Sequence, residues 1–322
     1  MKKVLKIVGI ALLAIILLIV IAVVYVNSAF PKVDPAPELS FEYTPELVAR
    51  GEYLANHVAV CMDCHSTRDF SKFSGPPTPG TYGKGGDRFD QSMGMPGIFY
   101  AKNITPAGIS RYTDGELFRV ITTGVTKEGH ALFPLMPYPY YGQMDERDIH
   151  AIIAYVRSLP AIENEVPPAE PDFPFNIILK TIPVNASPQT RPEKTDLIAY
   201  GRYMATFSGC VECHTPVEKG QIIKELAFSG GREFPMPGGM LRTPNLTPHQ
   251  TGLANWTEDM FLARFKAYEN YEQSVPMGEF NSIMPWTMYA GMDSLDLKAI
   301  FAYLLTVEPI EHTVIRYEPA GE

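Results

Sequence analysis

The chain has 322 residues, which is enough for two domains of ordinary size. Hydrophobic residues make up 46% of the sequence and charged residues 20%, a globular composition that argues against extensive disorder. The net charge of −9 argues against a nucleic-acid partner, because phosphate binding needs clustered lysine and arginine side chains. An acidic surface suits docking to a basic face of a partner protein, although it equally serves solubility alone.

The N-terminus predicts a membrane anchor over residues 1–27. Three lysines, Lys2, Lys3 and Lys6, precede the uncharged run 7–26. As a helix rising about 1.5 Å per residue, this run matches a hydrocarbon core of about 30 Å. The alternative is a cleaved signal peptide, which has a shorter apolar stretch and a small-residue cleavage site, for which Asn27-Ser28-Ala29 is a poor candidate. The lysines should stay in the cytoplasm, which puts the rest of the chain on the periplasmic side of a bacterial membrane.

All four cysteines lie in two copies of one pentapeptide, Cys61-Met62-Asp63-Cys64-His65 and Cys210-Val211-Glu212-Cys213-His214. This C-x-x-C-H pattern is typical of a c-type haem, whose vinyl groups bond to the thiols and whose iron binds the imidazole. The alternatives are a redox dithiol and a zinc site. A dithiol does not require the histidine, and a Cys₄ zinc site would unite pairs 149 residues apart. We therefore predict two covalently bound haem c groups.

The segments around the two motifs repeat in the same order, at an offset of 142 to 150 residues. The matched segments are Gly51-Glu52-Tyr53-Leu54-Ala55 with Gly201-Arg202-Tyr203-Met204-Ala205, Asn103-Ile104-Thr105-Pro106 with Asn245-Leu246-Thr247-Pro248, Tyr112-Thr113-Asp114 with Trp256-Thr257-Glu258, and Met136-Pro137-Tyr138 with Met284-Pro285-Trp286. This order predicts one domain duplicated, at 44–160 and 194–310. A linker at 28–43, a proline-rich linker at 161–193 and a C-terminal tail at 311–322 complete the chain.

Capping signals predict that both domains are mainly α-helical. The predicted N-caps are Thr44 before Pro45, Thr195-Asp196, Asp145 and Asp293. Gly51 and Gly201 would let two helices cross closely, because a missing Cβ brings backbones together. In the proline-rich linker, segment 173–179 is too apolar to be free, so we expect it to pack on a domain or, less simply, on a partner.

Met136 and Met284 are the predicted second axial ligands of the two irons. They follow His65 and His214 by 71 and 70 residues, and each precedes a proline and an aromatic residue. A thioether opposite an imidazole favours ferrous iron and raises the reduction potential. The alternative for either methionine is a gap-filling role in the core.

Other repeated residues have simpler interpretations. Met144 and Met292 precede N-cap aspartates and read as hydrophobic staples, whereas Met95 and Met236 read as turn residues. His130 reads as a surface residue, and His249 at most supports a ligand without binding the iron itself. Candidates to hydrogen-bond haem propionates, with plain turn formation as the alternative, are Asn103, Thr105, Asn245, Thr247 and Trp256.

On these residues the chain resembles the cytochrome c subunits of bacterial membrane-bound dehydrogenases for alcohols, aldehydes and gluconate. The resemblance rests on both C-x-x-C-H motifs, on Asn103-Ile104-Thr105-Pro106, on Met136-Pro137-Tyr138-Pro139 and on the linker segment 173–177. It covers about residues 44–310 and implies tandem class I-type cytochrome c domains. Those subunits commonly carry three haems and several attach to the membrane through the C-terminus, whereas this chain has two motifs and an N-terminal apolar run.

Together these features predict a membrane-anchored dihaem cytochrome that transfers single electrons and is not itself an enzyme. The donor would be a dehydrogenase or respiratory complex on the periplasmic side, and the acceptor a cytochrome or an oxidase. One alternative is a dihaem enzyme, peroxidase-like or sulfur-oxidising, which needs an open iron site. Both copies keep the Met-Pro-aromatic motif, which favours the carrier. A non-catalytic sensor or assembly subunit is the other alternative.

Overall fold

A computed structural model describes residues 1–320, so the last two residues of the predicted C-terminal tail lie outside it. The structure is mainly helical. The helices of the first half and the linker are α1 Lys2–Ala29, α2 Pro45–Tyr53, α3 Cys61–His65, α4 Pro106–Ile109, α5 Asp114–Thr123, α6 Tyr138–Tyr141, α7 Glu146–Ser158 and α8 Phe175–Ile178. The helices of the second half are α9 Leu197–Phe207, α10 Cys210–Cys213, α11 Glu258–Lys266, α12 Trp286–Tyr289 and α13 Ser294–Leu304.

Helix α1 is long and apolar enough to cross a membrane. Its mean hydropathy reaches 3.6, and none of that window is buried against the rest of the protein. Its C-terminal end lies beside the linker, where the Lys180 ammonium donates a 2.5 Å hydrogen bond to the Asn27 side-chain oxygen. A single-pass membrane anchor is compatible with this helix.

In each half the helix that leads to a C-x-x-C-H motif crosses the closing helix at a glycine. A Cβ built on Gly51 of α2 would lie 1.8 Å from the Ala151 carbonyl oxygen of α7. The same distance separates a Cβ on Gly201 of α9 from the Ala299 carbonyl of α13. The close helix crossing predicted at both glycines is therefore present. It requires glycine, because the Cβ of any other residue would clash with the facing carbonyl.

The predicted helix starts are largely present. The Thr44 hydroxyl accepts from the Leu47 N–H at 3.2 Å, Asp196 caps α9 through the Ala199 N–H at 3.0 Å, and Asp145 caps α7 through the Arg147 N–H at 2.9 Å. Asp293 also precedes its helix, but its side chain makes no capping bond. Its N–H is bonded at 3.0 Å to the Tyr53 hydroxyl of the other half.

Within residues 1–320, eight short strands form three small sheets, an addition to the helical prediction. They are β1 Arg88–Phe89, β2 Gly97–Tyr100, β3 Glu170–Pro171, β4 Val217–Glu218, β5 Gln221–Ile222, β6 Glu233–Met236, β7 Gly239–Arg242 and β8 Tyr317–Pro319. The antiparallel orders are β1-β2-β3, β4-β5 and β6-β7-β8. Strand β3 lies in the linker and β8 in the tail, and each pairs with the hairpin of its own half.

Strands β3 and β8 carry one more repeat between the two halves, which the matched segments of the sequence did not include. Gly97 pairs with Pro171 and Gly239 pairs with Pro319, and each proline follows a glutamate, Glu170 or Glu318. The proline-rich linker therefore packs on the first half, where Phe175 meets Phe133 edge-to-face at 5.6 Å. Phe175 and the buried Leu179 fit the packed connector expected of segment 173–179, whereas Phe173 and Ile178 are exposed.

The two halves meet through reciprocal hydrogen bonds between equivalent residues. The Tyr53 hydroxyl of the first half donates to the Asp296 carboxylate of the second at 2.7 Å. The Tyr203 hydroxyl of the second half donates to the Asp148 carboxylate of the first, also at 2.7 Å. Asp148 and Asp296 are 1% and 0% exposed. The same surface of each copy therefore contacts the other copy, as in a symmetric dimer.

Candidate haem sites

The eight predicted cofactor-binding residues line one continuous cavity of about 2640 Å³. The structure brings them together in two sets from the two halves. They are Cys61, Cys64, His65 and Met136 in the first set, and Cys210, Cys213, His214 and Met284 in the second. The fold thus brings each motif histidine, and the methionine about 70 residues after it, to the lining of the same cavity.

Each motif histidine is oriented by a backbone carbonyl. The His65 Nδ1 lies 2.6 Å from the Lys102 carbonyl oxygen, and the His214 Nδ1 lies 2.9 Å from that of Pro244. A carbonyl can only accept, so Nδ1 carries the proton and Nε2 keeps its lone pair. Metal-binding histidines are commonly fixed in this way. Lys102 and Pro244 directly precede the repeated asparagines, which gives that repeat a role in the site.

Burial sets the protonation of these side chains. It lowers the pKa of the His214 imidazole to about 4 and also lowers that of His65, so both rings are neutral at pH 7. Burial raises the pKa of the Cys61 and Cys210 thiols to about 12, which makes them poor candidates for a reactive thiolate. The neutral imidazoles suit an axial bond to iron.

The two methionine turns have the same internal geometry. The Tyr138 N–H donates to the Met136 carbonyl at 2.7 Å, and the Trp286 N–H donates to the Met284 carbonyl at 2.8 Å. A buried tyrosine follows each turn and was missed in the sequence. Its hydroxyl donates to a carbonyl just before the C-x-x-C-H motif: Tyr141 to Ala59 at 2.9 Å and Tyr289 to Ser208 at 2.5 Å. The match of these tyrosines at an offset of 148 was the available signal.

The other repeated methionines divide between core and cavity. Met144 and Met292 are each 1% exposed and belong to the hydrophobic core, as the staple interpretation expects. Met95 and Met236 both line the large cavity. Met236 ends strand β6 and pairs with Gly239, so it is the first residue of the hairpin turn at Pro237-Gly238, in line with the turn interpretation.

The repeated asparagines shape their own loops. The Asn103 side-chain oxygen accepts from the N–H and the hydroxyl of Thr105 at 2.9 and 2.7 Å, and its amide donates to the Ile162 carbonyl. Asn245 makes the corresponding bonds to Thr247 and to the Ile310 carbonyl. Because the hydrogen-bonding atoms of both asparagines are engaged within the protein, the turn-forming role is favoured over propionate binding.

Neither His130 nor His249 takes the place of a motif histidine. His130 is exposed at the edge of the cavity, as its surface interpretation expects. The His249 ring nitrogen Nδ1 lies 3.0 Å from the Thr251 hydroxyl within its own loop. The Trp256 side chain lines the cavity, and no hydrogen bond from its indole is seen.

The alternatives of zinc and of dithiol chemistry find no support in this geometry. Within residues 1–320, no group of three or more His, Cys, Asp or Glu side chains is arranged to hold a metal ion by itself. All four cysteines line the same cavity as the two motif histidines. A large cavity lined by two thiols, an imidazole and a thioether in each half fits a covalently attached haem.

The two C-x-x-C-H motifs lie near each other across the interface. The Tyr140 hydroxyl of the first methionine segment donates to the carboxylate of Glu212, inside the second motif. Arg232 lies 3.6 Å from the same carboxylate. The fold therefore places the two candidate sites side by side.

No family model matches this chain. It is 29% identical over 289 residues to the alcohol dehydrogenase (quinone) cytochrome c subunit of Gluconacetobacter polyoxogenes, covering 82% of this chain and 56% of the relative. It is 28% identical over 280 residues to the gluconate 2-dehydrogenase cytochrome c subunit of Pantoea cypripedii, covering 80% and 59%. A diheme cytochrome c-type protein of Cereibacter sphaeroides is 28% identical over 285 residues, covering 85% and 90%.

The homologues of this chain are thus cytochrome c subunits of dehydrogenases and a diheme cytochrome c, which confirms the resemblance inferred from the motifs. The chain spans less than two thirds of the length of the two dehydrogenase subunits and most of the length of the diheme protein.

Proposed function

We propose that this chain is a membrane-anchored dihaem cytochrome c that transfers single electrons on the periplasmic side of the cytoplasmic membrane. Its two tandem class I-type domains, at 44–160 and 194–310, each hold one covalently attached haem. Cys61, Cys64, His65 and Met136 hold the first, and the second is held by Cys210, Cys213, His214 and Met284. The donor is a dehydrogenase or respiratory complex and the acceptor is a cytochrome or an oxidase, a role supported by the relatives named as dehydrogenase subunits.

The single cavity lined by both sets of residues is the observation that carries this proposal. A bound haem supplies a one-electron iron couple. The chain's own residues position the two imidazoles through backbone carbonyls and close both methionine turns with local hydrogen bonds. They also surround the site with apolar side chains that limit access of water. Two sites in one cavity suit the passage of an electron from one to the other.

The reciprocal interface supports a carrier in which the two sites keep a constant separation. Four side chains, Tyr53, Tyr203, Asp148 and Asp296, join equivalent surfaces of the two halves through buried hydrogen bonds. Within the first half, Arg50 holds the Asp148 carboxylate in place through a bidentate contact, with both nitrogen–oxygen distances at 3.0 Å. A well-bonded, largely buried interface of this kind resists relative motion of the two halves.

Carbon monoxide binding separates the carrier from the dihaem enzyme. If both irons carry a histidine and a methionine, neither has a vacant position, so the reduced protein should bind carbon monoxide slowly or not at all at neutral pH. Both haems should still be reduced by small soluble mediators. The measurement is a spectroscopic titration of the detergent-solubilised full chain. Fast, stoichiometric binding at one haem would contradict the carrier and favour an enzyme with an open iron.

Protease treatment of intact spheroplasts tests the anchor. Protease added outside should release a soluble fragment that carries both haems and leave α1 in the membrane, because the chain after residue 27 is proposed to lie outside. Protease added to inverted vesicles should leave the haem domains intact. A mature protein whose N-terminus lies near Phe30 would contradict the anchor and support a cleaved signal.

A further inference from the structure

A loop of the first half, residues 70–76, lies against the methionine turn of the second half; we call it the bridging loop. Its backbone pairs with the second half on both sides, through the Phe73 N–H to the Gln273 carbonyl at 2.9 Å and the Val275 N–H to the Ser71 carbonyl at 2.7 Å. The Phe73 ring stacks on Tyr268 at a centroid distance of 5.3 Å. The bridging loop is therefore a fixed part of the second half's surroundings, although it belongs to the first.

Ser74 lies at the centre of this contact. Its hydroxyl donates to the Met284 carbonyl at 2.6 Å and accepts from the Trp286 N–H at 2.8 Å. Its backbone N–H donates to the Asn281 side-chain oxygen at 2.8 Å. Ser74 is fully buried, and its φ of +67° is in the left-handed region, which a serine adopts only where its surroundings hold it. One serine hydroxyl thus joins both sides of the Met284-Pro285-Trp286 turn.

The same loop is tied to the first C-x-x-C-H motif through Arg68, whose side chain is 8% exposed. The Arg68 guanidinium donates to the Ser74 and Gly75 carbonyls at 2.5 and 2.8 Å, and to the Asp63 carboxylate at 3.1 Å. Asp63 is part of the first motif. A continuous chain of hydrogen bonds therefore runs from the first motif, through Arg68 and Ser74, to the backbone of Met284.

The first half has no matching support. Within residues 1–320, the Met136 carbonyl accepts a hydrogen bond from the Tyr138 N–H alone, which is a bond inside its own turn. The contact of Tyr140 with Glu212 lies beyond this turn and involves a side-chain hydroxyl. The two methionine turns thus have the same internal geometry but different external support.

We propose that Ser74 is a positioning residue for the second haem, which keeps the Met284 sulfur on the iron from across the domain interface. This inference rests on the proposed function, in particular on Met284 as an axial ligand. A cross-domain hydrogen bond restricts the Met284 turn in a way that its local bonds do not, so methionine ligation of the second haem depends on the first domain. Methionine ligation of the first haem has no such dependence.

Ser74→Gly is the most direct test, because glycine adopts the positive φ without strain and lacks the hydroxyl. The substitution is made in a Met136→Ala parent, so that the weak long-wavelength absorbance band of ferric iron–thioether bonding reports the second haem alone. Ferric protein is then titrated with imidazole, which competes with the methionine. We expect Ser74→Gly to raise the apparent imidazole affinity about tenfold, which corresponds to about 1.4 kcal/mol of lost support. The reduction potential of this haem should fall.

Ser229→Ala is the matched control, because Ser229 is a fully buried serine of the second half whose hydroxyl has no hydrogen-bond partner within residues 1–320. Its titration should match the parent. Ser74→Ala, which keeps the Cβ, is a second variant should Ser74→Gly not accumulate. Unchanged imidazole affinity in the Ser74 variants, or an equal change in Ser229→Ala, would overturn the positioning role. Absence of the thioether band in the parent would instead contradict Met284 as a ligand, so the two failures are distinguishable.

Discussion

Replacing Met136 or Met284 by alanine is expected to convert one of the two haems to high spin, because each substitution removes one strong axial ligand. The haem count should stay at two, since attachment depends on the cysteines. Each variant should also lose about half of the weak absorbance band that ferric iron–thioether bonding produces, and the reduction potential of the altered haem should fall. Electronic absorption spectra of the ferric and ferrous protein measure these changes.

Met144→Ala and Met292→Ala are the controls for this pair. Both methionines repeat between the halves and are almost fully buried in the core, so their loss should lower stability while leaving both haems low spin. A wild-type spectrum in Met136→Ala or Met284→Ala would show that the substituted methionine is not a ligand. In that event Met95 and Met236, which line the same cavity, become the next candidates to test.

The second large effect is expected at the interface between the halves. Asp148 is buried and accepts hydrogen bonds from Arg50 at 3.0 Å, Arg191 at 2.6 Å and Tyr203 at 2.7 Å. Removing one partner of a buried ion pair leaves the other charge uncompensated and typically costs about 3–5 kcal/mol. Asp148→Ala should therefore lower the free energy of unfolding by roughly that amount, measured by urea denaturation of the solubilised full chain.

Glu146→Ala tests the same helix at an exposed position. Its change in the free energy of unfolding should stay within about 0.5 kcal/mol, as expected for a surface substitution. Asp296→Ala should also lower the free energy of unfolding, because Asp296 holds the equivalent buried place, bonds to Tyr53 and Tyr200 at 2.7 and 3.0 Å, and lies 3.4 Å from the Lys194 ammonium. A loss below about 1 kcal/mol in both aspartate variants would mean that the interface contributes little to stability.

Much of the helical framework was predictable because it depends on local chemistry. Thr44, Asp145 and Asp196 cap helices through their own side chains, within three residues along the chain. Gly51 and Gly201 have no side chain, and that absence alone permits the close crossing of two helices. The turn at Met236-Pro237-Gly238 was predictable for the same reason, whereas the pairing of β8 with β7 was not, because it joins residues about 76 to 80 positions apart.

The sequence by itself determined the cofactor chemistry and the duplication. Thiols, imidazole and thioether at repeated spacings identify the groups available to a haem, and repetition identifies equivalent residues. Tertiary structure decided which carbonyl orients each histidine, how Tyr53 and Asp296 meet across 243 residues, and that Ser74 supports Met284 across 210. These contacts join residues that no local pattern relates. They form because each half buries the same surface against the other, and a buried polar group needs a partner wherever the fold provides one.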